Sequence, residues 1–303
     1  MKILVTGCAG FIGTNLCKRL LKEGHSVVGI DHFGWGYEKN MEDIGFTDYY
    51  KKSIFDLPPI ECIDIIYHQA NLRKNVSTYA PALDIETTVN GTRMLLDWAL
   101  TYGIKKFIYA SSSLVYGEHA EVVDENSRLN PICMYGVSKV AAEKLVNMYR
   151  REGLQTSIYR YFQGYGPYQD TERGGAIIPT VIKNILRGEP ITIYGDGQQT
   201  RSFTWIDDIV DILMFPLQNK GFGETFNVTA GIEYKIIDIV ELIRDCCAEM
   251  DIPVSPIVYE DARADDVKRL SGDNTKLIGM GVSFNTDIKA NLKKTIKFYK
   301  KWL

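Results

Sequence analysis

A short apolar strand that runs directly into a glycine-rich turn constrains this chain more than any other feature of its sequence. Residues 2–6 (KILVT) form the predicted strand, and GCAGFIG follows, with glycines at positions 7, 10 and 13. A helix is predicted from Ile12 to Glu23 and a second apolar strand from Ser26 to Ile30. Such glycines let backbone N–H groups and a helix N-terminus approach a pyrophosphate. The opening segment therefore predicts a dinucleotide site.

The residue that ends the second strand indicates which dinucleotide this is. Asp31 stands there, where a carboxylate accepts hydrogen bonds from the adenosine ribose and repels a 2′-phosphate. His32 and Phe33 follow, and no nearby arginine could neutralise such a phosphate. The sequence favours NAD over NADP.

The alternation of apolar runs with helical stretches continues to about residue 160. It predicts an α/β Rossmann fold with a doubly wound parallel sheet. The further predicted strands and helices of this part are the strands Ile63–His68, Lys106–Ala110 and Thr156–Arg160 and the helices Leu83–Tyr102 and Tyr135–Glu152. Residues 1–163 are expected to form this domain.

Past residue 164 the pattern changes to glycine-rich loops and mixed segments, which predicts a smaller mixed α/β lobe for substrate. Its predicted elements are the helices Ile177–Arg187 and Ile236–Met250 and the strands Ile191–Tyr194 and Thr225–Val228. We expect this lobe, residues 164–303, to be discontinuous, because the chain is predicted to rejoin the first domain at about residues 203–235.

Charge and composition favour a small-molecule ligand. The 35 basic and 38 acidic residues are well mixed, so neither nucleic acid nor an anionic membrane is an expected partner. No run reaches the roughly 18 apolar residues that span a bilayer, and the start lacks the pattern of a signal peptide, so we expect a cytoplasmic protein. The six cysteines and four histidines show no ligand-like spacing, and no metal site is expected.

A tyrosine and a lysine form the candidate catalytic pair. Tyr135 and Lys139 are four positions apart on one predicted helical face. A neighbouring ammonium lowers the pKa of a phenol, which makes a general base. Ser111, Ser112 and Ser113 follow a predicted strand at the sheet edge where ligands of doubly wound folds bind, and a hydroxyl there could share the proton of a substrate hydroxyl with Tyr135.

Motifs in a fixed order carry a family resemblance over nearly the whole chain. They are TGCAGFIG, the terminal strand aspartate, SSSLVYG, YGVSK, RYFQGYGP, IYGDGQQTRSFTWIDDI and RADDV. With them the chain resembles the extended short-chain dehydrogenase/reductase family, in its NAD-dependent sugar-nucleotide epimerase and dehydratase branch.

The resemblance implies roles for individual residues. Tyr135 would be the base, Lys139 would bind the nicotinamide ribose, and Ser112 would complete the relay. The positions that match cofactor contacts are Gly7, Gly10, Phe11, Ile12, Gly13, Asp31, Ile54, Ala70, Arg73, Asn90, Tyr135, Lys139 and Tyr161. Those that match substrate contacts are Ser112, Ser113, Tyr135, Gln163, Arg201, Arg263 and Asp266. Relatives of this kind pair through two long helices, so a homodimer is expected.

The resemblance also bears on the reaction, because this branch diverges after a 4-keto sugar has formed. Dehydratases of the branch carry an Asp-Glu pair where this chain has Ser113 and Leu114, and decarboxylases keep a glutamate at the Leu114 position. By elimination, 4-epimerisation of a UDP-sugar of the glucose/galactose or glucuronate type is expected. Another reductase, dehydratase or decarboxylase, or a non-catalytic NAD-binding relative, remains the alternative.

Overall fold

The computed structural model describes residues 1–172, 176–262 and 267–303. Its strands are β1 (Lys2–Thr6), β2 (Ser26–Asp31), β3 (Tyr49–Lys51), β4 (Ile65–His68), β5 (Lys106–Ser112), β6 (Gln155–Tyr161), β7 (Gln163–Tyr165), β8 (Ile191–Tyr194), β9 (Thr200–Trp205), β10 (Thr225–Val228), β11 (Glu233–Lys235), β12 (Ile257–Glu260) and β13 (Arg269–Leu270). Its α-helices are α1 (Phe11–Lys22), α2 (Glu38–Asp43), α3 (Lys74–Tyr79), α4 (Pro81–Asp84), α5 (Gly91–Thr101), α6 (Met134–Arg151), α7 (Ile177–Arg187), α8 (Ile206–Leu213), α9 (Ile236–Ala248), α10 (Thr275–Gly279) and α11 (Ile288–Trp302).

A seven-stranded sheet, whose strand pairs are all parallel, forms the larger part of the molecule. Its strand order is β3-β2-β1-β4-β5-β6-β10. From β1 the chain builds first toward β2 and later toward β4, so the order reverses beside β1. Ligands of open parallel sheets bind at such a reversal, beyond the carboxyl ends of the strands. The predicted Rossmann α/β fold is confirmed.

Both faces of this sheet are covered by helices, which explains why its strands read as continuous apolar runs. Successive side chains of a strand point to opposite faces. In β1, Leu4 packs in the hydrophobic cluster that contains side chains of α5 and α6, whereas Ile3 and Val5 pack in the cluster that contains side chains of α1 and α8. All three side chains are fully buried. Burial on both sides fixes the sheet as the central layer.

Smaller sheets and further helices form the second lobe. β9 pairs with β11 in the antiparallel sense and with β13 and β7 in the parallel sense, while β8 and β12 form a separate parallel pair. Between β9 and β11 the chain returns to the large sheet, where Thr225 of β10 lies opposite Ile158 of β6. Within the described ranges, no helix has the length and apolar character that crossing a membrane requires.

One predicted helix has a different form. The sequence predicts a continuous helix over Leu83–Tyr102, but the structure has α4, then a π-helical segment at Ile85–Asn90, then α5. The wider π turn holds an extra residue, so the side chains that follow it are rotated relative to an unbroken α-helix. The spacing of apolar residues in the sequence does not reveal a single π turn, because the helical pattern continues in the residues after the turn.

Candidate functional site

A deep cleft lies at the carboxyl ends of the central strands, between the large sheet and the second lobe. Its volume is about 1150 Å³, and residues of both lobes line it. The predicted site residues that line it are Gly7, Gly10, Phe11, Ile12, Gly13, Asp31, Ile54, Ala70, Arg73, Ser112, Ser113, Tyr135, Tyr161, Gln163 and Arg201. The two remaining predicted substrate residues, Arg263 and Asp266, lie outside the described residues.

The glycine turn is shaped by close backbone packing at one end of the cleft. Gly7 has a φ of 69°, and a Cβ there would lie 2.6 Å from the backbone nitrogen of Ala70. A Cβ on Gly13 would lie 2.1 Å from the carbonyl oxygen of Gly7. Only glycine fits either position. The turn places the N-terminus of α1 at the cleft, and no side chain of the described residues caps that terminus, so its N–H groups are suited to bind an anion.

Asp31 lies beside this turn at the end of β2. Its carboxylate accepts hydrogen bonds from the backbone N–H groups of Ala9, at 3.1 Å, and Phe33, at 2.8 Å. Burial raises the pKa of Asp31, and these two bonds partly offset the rise. The carboxylate is thus anchored next to the glycine turn, where the sequence predicts a ribose.

An unsatisfied amide in the cleft wall tests whether a dinucleotide fits. Gln69, at the end of β4, is only 7% exposed and lines the cleft. Its oxygen accepts a hydrogen bond from the Tyr161 hydroxyl at 3.3 Å, but its nitrogen has no hydrogen-bond partner among the described residues. Buried donors are normally paired. The glycine turn, the carboxylate of Asp31 and this free donor suit the amide- and phosphate-rich surface of a dinucleotide.

Arg73 lines the cleft, and its guanidinium bridges the two lobes. It forms an ion pair with Asp170 of the second lobe, and one of its nitrogens donates to the carbonyl oxygen of Trp35 at 3.2 Å. The Tyr37 hydroxyl donates to the same Asp170 carboxylate. These contacts join segments on both sides of the cleft.

Asn90 is a predicted cofactor residue that the structure does not bring to the cleft. Its amide nitrogen donates to the carboxylate of Glu86 at 2.7 Å, at an exposed position. Asn90 ends the π-helical segment, and Thr87 of the same segment lines the cleft instead. The wide π turn changes the direction in which the side chains of this segment point. The prediction of an unbroken α-helix did not include that change.

The candidate catalytic residues meet where β5 ends and α6 begins. The Tyr135 hydroxyl donates to the side-chain oxygen of Asn71 at 3.2 Å. One helical turn further along α6, the Lys139 ammonium donates a hydrogen bond to the Ala110 carbonyl oxygen at 2.7 Å and lies 5.7 Å from the centroid of the Tyr135 ring. Ser112 ends β5, and its hydroxyl accepts from the backbone N–H of Leu114 at 3.2 Å. Tyr135 and Ser112 therefore lie together in the cleft wall, and Lys139 is buried next to Tyr135.

The protonation preferences of the pair differ from the sequence prediction. Burial raises the pKa of Tyr135, the Asp84 carboxylate raises it further, and the Ser112 hydroxyl lowers it. Burial also lowers the pKa of Lys139 to about 7, although two carboxylates oppose that change. In the protein on its own the pKa of Tyr135 is therefore raised, and not lowered as the sequence predicts, because burial removes the phenolate from water.

Sequence reasoning missed two residues next to the candidate catalytic pair: Asn71, which lines the cleft, and Asp84, which is buried behind it. Asn71 receives the hydrogen bond of Tyr135, and Asp84 affects the pKa of both Tyr135 and Lys139. A signal for Asn71 existed, since it is a polar residue just beyond the carboxyl end of an apolar strand. The sequence held no such signal for Asp84, because an acidic residue in the first turn of a predicted helix is typically exposed to solvent.

Comparisons with known proteins agree with this geometry. The NAD dependent epimerase/dehydratase family matches residues 3–229. An uncharacterized UDP-glucose epimerase of Bacillus subtilis is 36% identical over 262 residues, which covers 81% of this chain and 82% of that protein. A putative UDP-glucose 4-epimerase of Methanocaldococcus jannaschii is 30% identical over 98% of both chains.

Other matches bear on the cofactor and on the range of reactions. The crystal structure of UDP-glucuronic acid 4-epimerase from Bacillus cereus with UDP-glucuronic acid and NAD has a TM-score of 0.89 at 29% identity and covers 100% of both chains. A UDP-N-acetyl-alpha-D-glucosaminuronate decarboxylase of Bacillus cytotoxicus is 34% identical over 80% of this chain and 79% of that protein. The chain belongs to the NAD dependent epimerase/dehydratase family, which confirms NAD as its cofactor and the resemblance that its motifs predicted.

Proposed function

We propose that this protein is a 4-epimerase of a UDP-linked sugar that works through a transient 4-keto intermediate. The observation that carries the proposal is that Tyr135, Ser112 and Leu114 line one wall of the cleft, with the buried Lys139 ammonium 5.7 Å from the centroid of the Tyr135 ring. UDP-sugar epimerases among the relatives and solved structures support the choice of substrate class.

The glycine-turn end of the cleft would hold NAD. The residues proposed to contact it are Gly7, Gly10, Phe11, Ile12, Gly13, Asp31, Ile54, Ala70, Arg73 and Tyr161, together with Tyr135 and Lys139. When bound, NAD would supply the hydride acceptor and, in its reduced form, the hydride donor that oxidation and reduction at the sugar C4 require. Asn90 is not included, because its side chain is turned toward Glu86.

The chain's own residues would move the proton. Ser112 and Tyr135 would hydrogen-bond the sugar 4-hydroxyl, and Tyr135 would take its proton and later give it back. Burial keeps Tyr135 protonated in the protein on its own, so a nearby positive charge is needed to stabilise the phenolate. Lys139 is placed to supply that charge, which requires its ammonium form.

The residues around the sugar position favour epimerisation over elimination. Leu114 lines the cleft at the position where dehydratases and decarboxylases of the branch carry a glutamate. A leucine cannot transfer a proton, whereas returning hydride to the opposite face of a keto sugar needs no further acid or base. Gln163, Ser113 and Arg201 are proposed to contact the substrate, and a guanidinium suits a diphosphate.

A panel of nucleotide sugars tests the proposal. Purified protein is incubated with UDP-, GDP-, CDP- and dTDP-sugars without added reductant, and products are separated against epimer standards. A mixture of C4 epimers from a UDP-sugar is expected. A dehydrated, decarboxylated or free 4-keto product would overturn epimerisation in favour of a sister reaction of the family.

A tyrosine variant tests the mechanism. Tyr135→Phe removes the proton-transfer group, so turnover is expected to fall by about 10²- to 10⁴-fold, while bound NAD, measured after release from the protein, stays at the wild-type level. Tyr79→Phe is the matched control, because Tyr79 is 88% exposed and outside the cleft. Undiminished turnover in Tyr135→Phe would rule out this base.

We also propose that two copies of the chain associate through the helices over residues 83–102 and 135–152. Exposed apolar side chains on these segments support the proposal, among them Leu83, Ile85, Val137 and Met148. Apolar patches of this kind mark interaction surfaces. Light scattering should give the mass of two chains, and the mass of one chain would contradict the proposal.

A further inference from the structure

A buried carboxylate lies behind the catalytic turn of α6. Asp84, at the end of α4, is 0% exposed. Its two oxygens accept hydrogen bonds from the hydroxyls of Ser77, at 2.6 Å, Thr88, at 2.8 Å, and Ser138, at 2.8 Å. Every one of these contacts donates a hydrogen to Asp84, which is the pattern that stabilises an ionised carboxylate.

The donors come from three different parts of the fold. Ser77 lies in α3, Thr88 in the π-helical segment, and Ser138 in α6 between Tyr135 and Lys139. A hydrogen bond to Ser138 therefore fixes the helical turn that carries both catalytic residues. The serine also lies within 3.0 Å of the Tyr135 carbonyl oxygen, so its hydroxyl is held close to the backbone of that turn.

Asp84 lacks a dedicated cationic partner within the described ranges, where the ion pairs found do not include it. A buried carboxylate without a partner is costly, and its charge then acts on whichever cation is nearby. Lys139, itself 1% exposed, is the buried ammonium whose pKa Asp84 raises, against the larger lowering by burial. The two charges thus compensate each other across the turn that contains Ser138.

Other groups also face Lys139, and their effects have to be separated from that of Asp84. They are Glu143 one turn along α6, His68 at the end of β4, and the rings of Tyr109 and Tyr135. Burial lowers the pKa of His68 to about 3, so the imidazole is neutral at ordinary pH. Glu143 pairs with Arg160 through two hydrogen bonds, so its charge is largely neutralised.

We propose that Asp84 is a positioning residue for the reaction: its carboxylate holds the first turns of α6 through Ser138 and favours the ammonium form of the buried Lys139. The inference deepens the proposed function, on which the catalytic role of Lys139 rests. Asp84 does not touch the cleft; it acts through Lys139, whose positive charge in turn stabilises the phenolate of Tyr135.

The test is the titration of Lys139 in the NAD-bound protein. Lysine is isotope-labelled at Cε, and the Lys139 resonance is identified by its loss in Lys139→Met. In Asp84→Asn, which keeps the shape of the side chain but removes its charge, the pKa of Lys139 is expected to fall by about one unit or more. An unchanged or higher pKa of Lys139 overturns the proposal.

Ser77→Ala is the matched control, because it removes one hydrogen bond to Asp84 and leaves the charge in place. The pKa of Lys139 should then stay within a few tenths of a unit of its wild-type value. A shift as large as that in Asp84→Asn would mean that local packing, and not the charge, sets the titration. The measurement needs no turnover, so a failure of the proposed epimerase activity would not be mistaken for a failure of this inference.

A double variant covers the case in which Asp84→Asn fails to fold. If the loss of Asp84 leaves an uncompensated ammonium in the core, Asp84→Asn combined with Lys139→Met should fold where Asp84→Asn alone does not. If the double variant is no more stable than the single one, Asp84 serves packing only, and the proposal is wrong.

Discussion

Two buried carboxylates flank Lys139, and they are satisfied in different ways. Glu143 is held by Arg160 through hydrogen bonds of 2.9 and 2.7 Å and also accepts from the Ser111 hydroxyl at 2.5 Å. Asp84 is held by neutral hydroxyls alone among the described residues. A bidentate guanidinium compensates most of a carboxylate's charge, whereas hydroxyls stabilise it and leave its field in place. The ion pair of Glu143 with Arg160 therefore stabilises the fold, whereas Asp84 keeps a negative charge that acts on nearby groups.

The contacts of Arg160 show how far the network around this ion pair reaches. Its guanidinium also donates to the Tyr116 hydroxyl at 2.8 Å, and that hydroxyl donates to the side-chain oxygen of Asn227 at 2.6 Å. Asn227 lies in β10, and its amide nitrogen bonds the Val123 carbonyl at 3.0 Å. Glu143 is therefore the α6 end of a buried network that joins β6, β10 and the loop after β5. The hydroxyl cluster around Asp84 stays between neighbouring helices.

The largest effect is expected from breaking the Glu143–Arg160 pair on one side only. Arg160→Met leaves the Glu143 carboxylate buried without its cation, so the free energy of unfolding should fall by about 3–5 kcal/mol. Urea denaturation measures the fall. Glu143→Gln combined with Arg160→Met removes both charges and should recover part of the loss. An equal loss in the single and double variants would show that packing, and not the buried charge, accounts for it.

A smaller effect, with a definite sign, is expected from Lys139. Burial lowers its pKa to about 7 in the folded protein, and an unfolded lysine has its ordinary value of about 10.4. Between these values the unfolded chain holds more protons, so the stability of the wild type should rise with pH relative to that of Lys139→Met. The slope is at most about 1.4 kcal/mol per pH unit.

Urea denaturation of both proteins at intervals from pH 7 to about 9.5 measures this slope, since phenols stay protonated below about pH 10. Well below pH 7 this lysine is protonated in both the folded and the unfolded state, and the stability difference between the two proteins should become constant. A difference that does not change over the whole series would show that Lys139 keeps an ordinary pKa, and that the carboxylates beside it fully offset its burial.

The fold could be predicted from the sequence where one local pattern decides the structure. The predicted helix Ile177–Arg187 and the predicted strands Ile191–Tyr194 and Thr225–Val228 have the bounds that the structure shows. The three glycines of the turn, at positions 7, 10 and 13, were predicted to form a dinucleotide site, and they line the cleft. In each case the spacing of apolar residues or glycines within a short segment is sufficient.

The remaining features depend on contacts between distant segments. Arg73 was predicted as a cofactor contact, but its ion pair with Asp170 joins residues far apart in sequence, which no local pattern reveals. Asp84 reads as a solvated helix residue until the fold brings Ser77 and Ser138 to it. The direction of the Tyr135 pKa depends on burial, and burial depends on the packing of the whole lobe. Motifs therefore predict the candidate catalytic residues, while the protonation of these residues follows from tertiary structure.

The return of β10 to the large sheet has a consequence for recombination between related genes. β9 and β11 belong to the smaller sheet, yet β10 between them pairs with β6. A chimera with a single crossover near residue 164 would pair β6 of one parent with β10 of the other and place Asn227 of one opposite Tyr116 of the other. The second lobe is therefore not encoded by one continuous segment. Exchanging it between relatives requires at least two separate pieces of coding sequence, so that β10 stays with the parent that supplies β6.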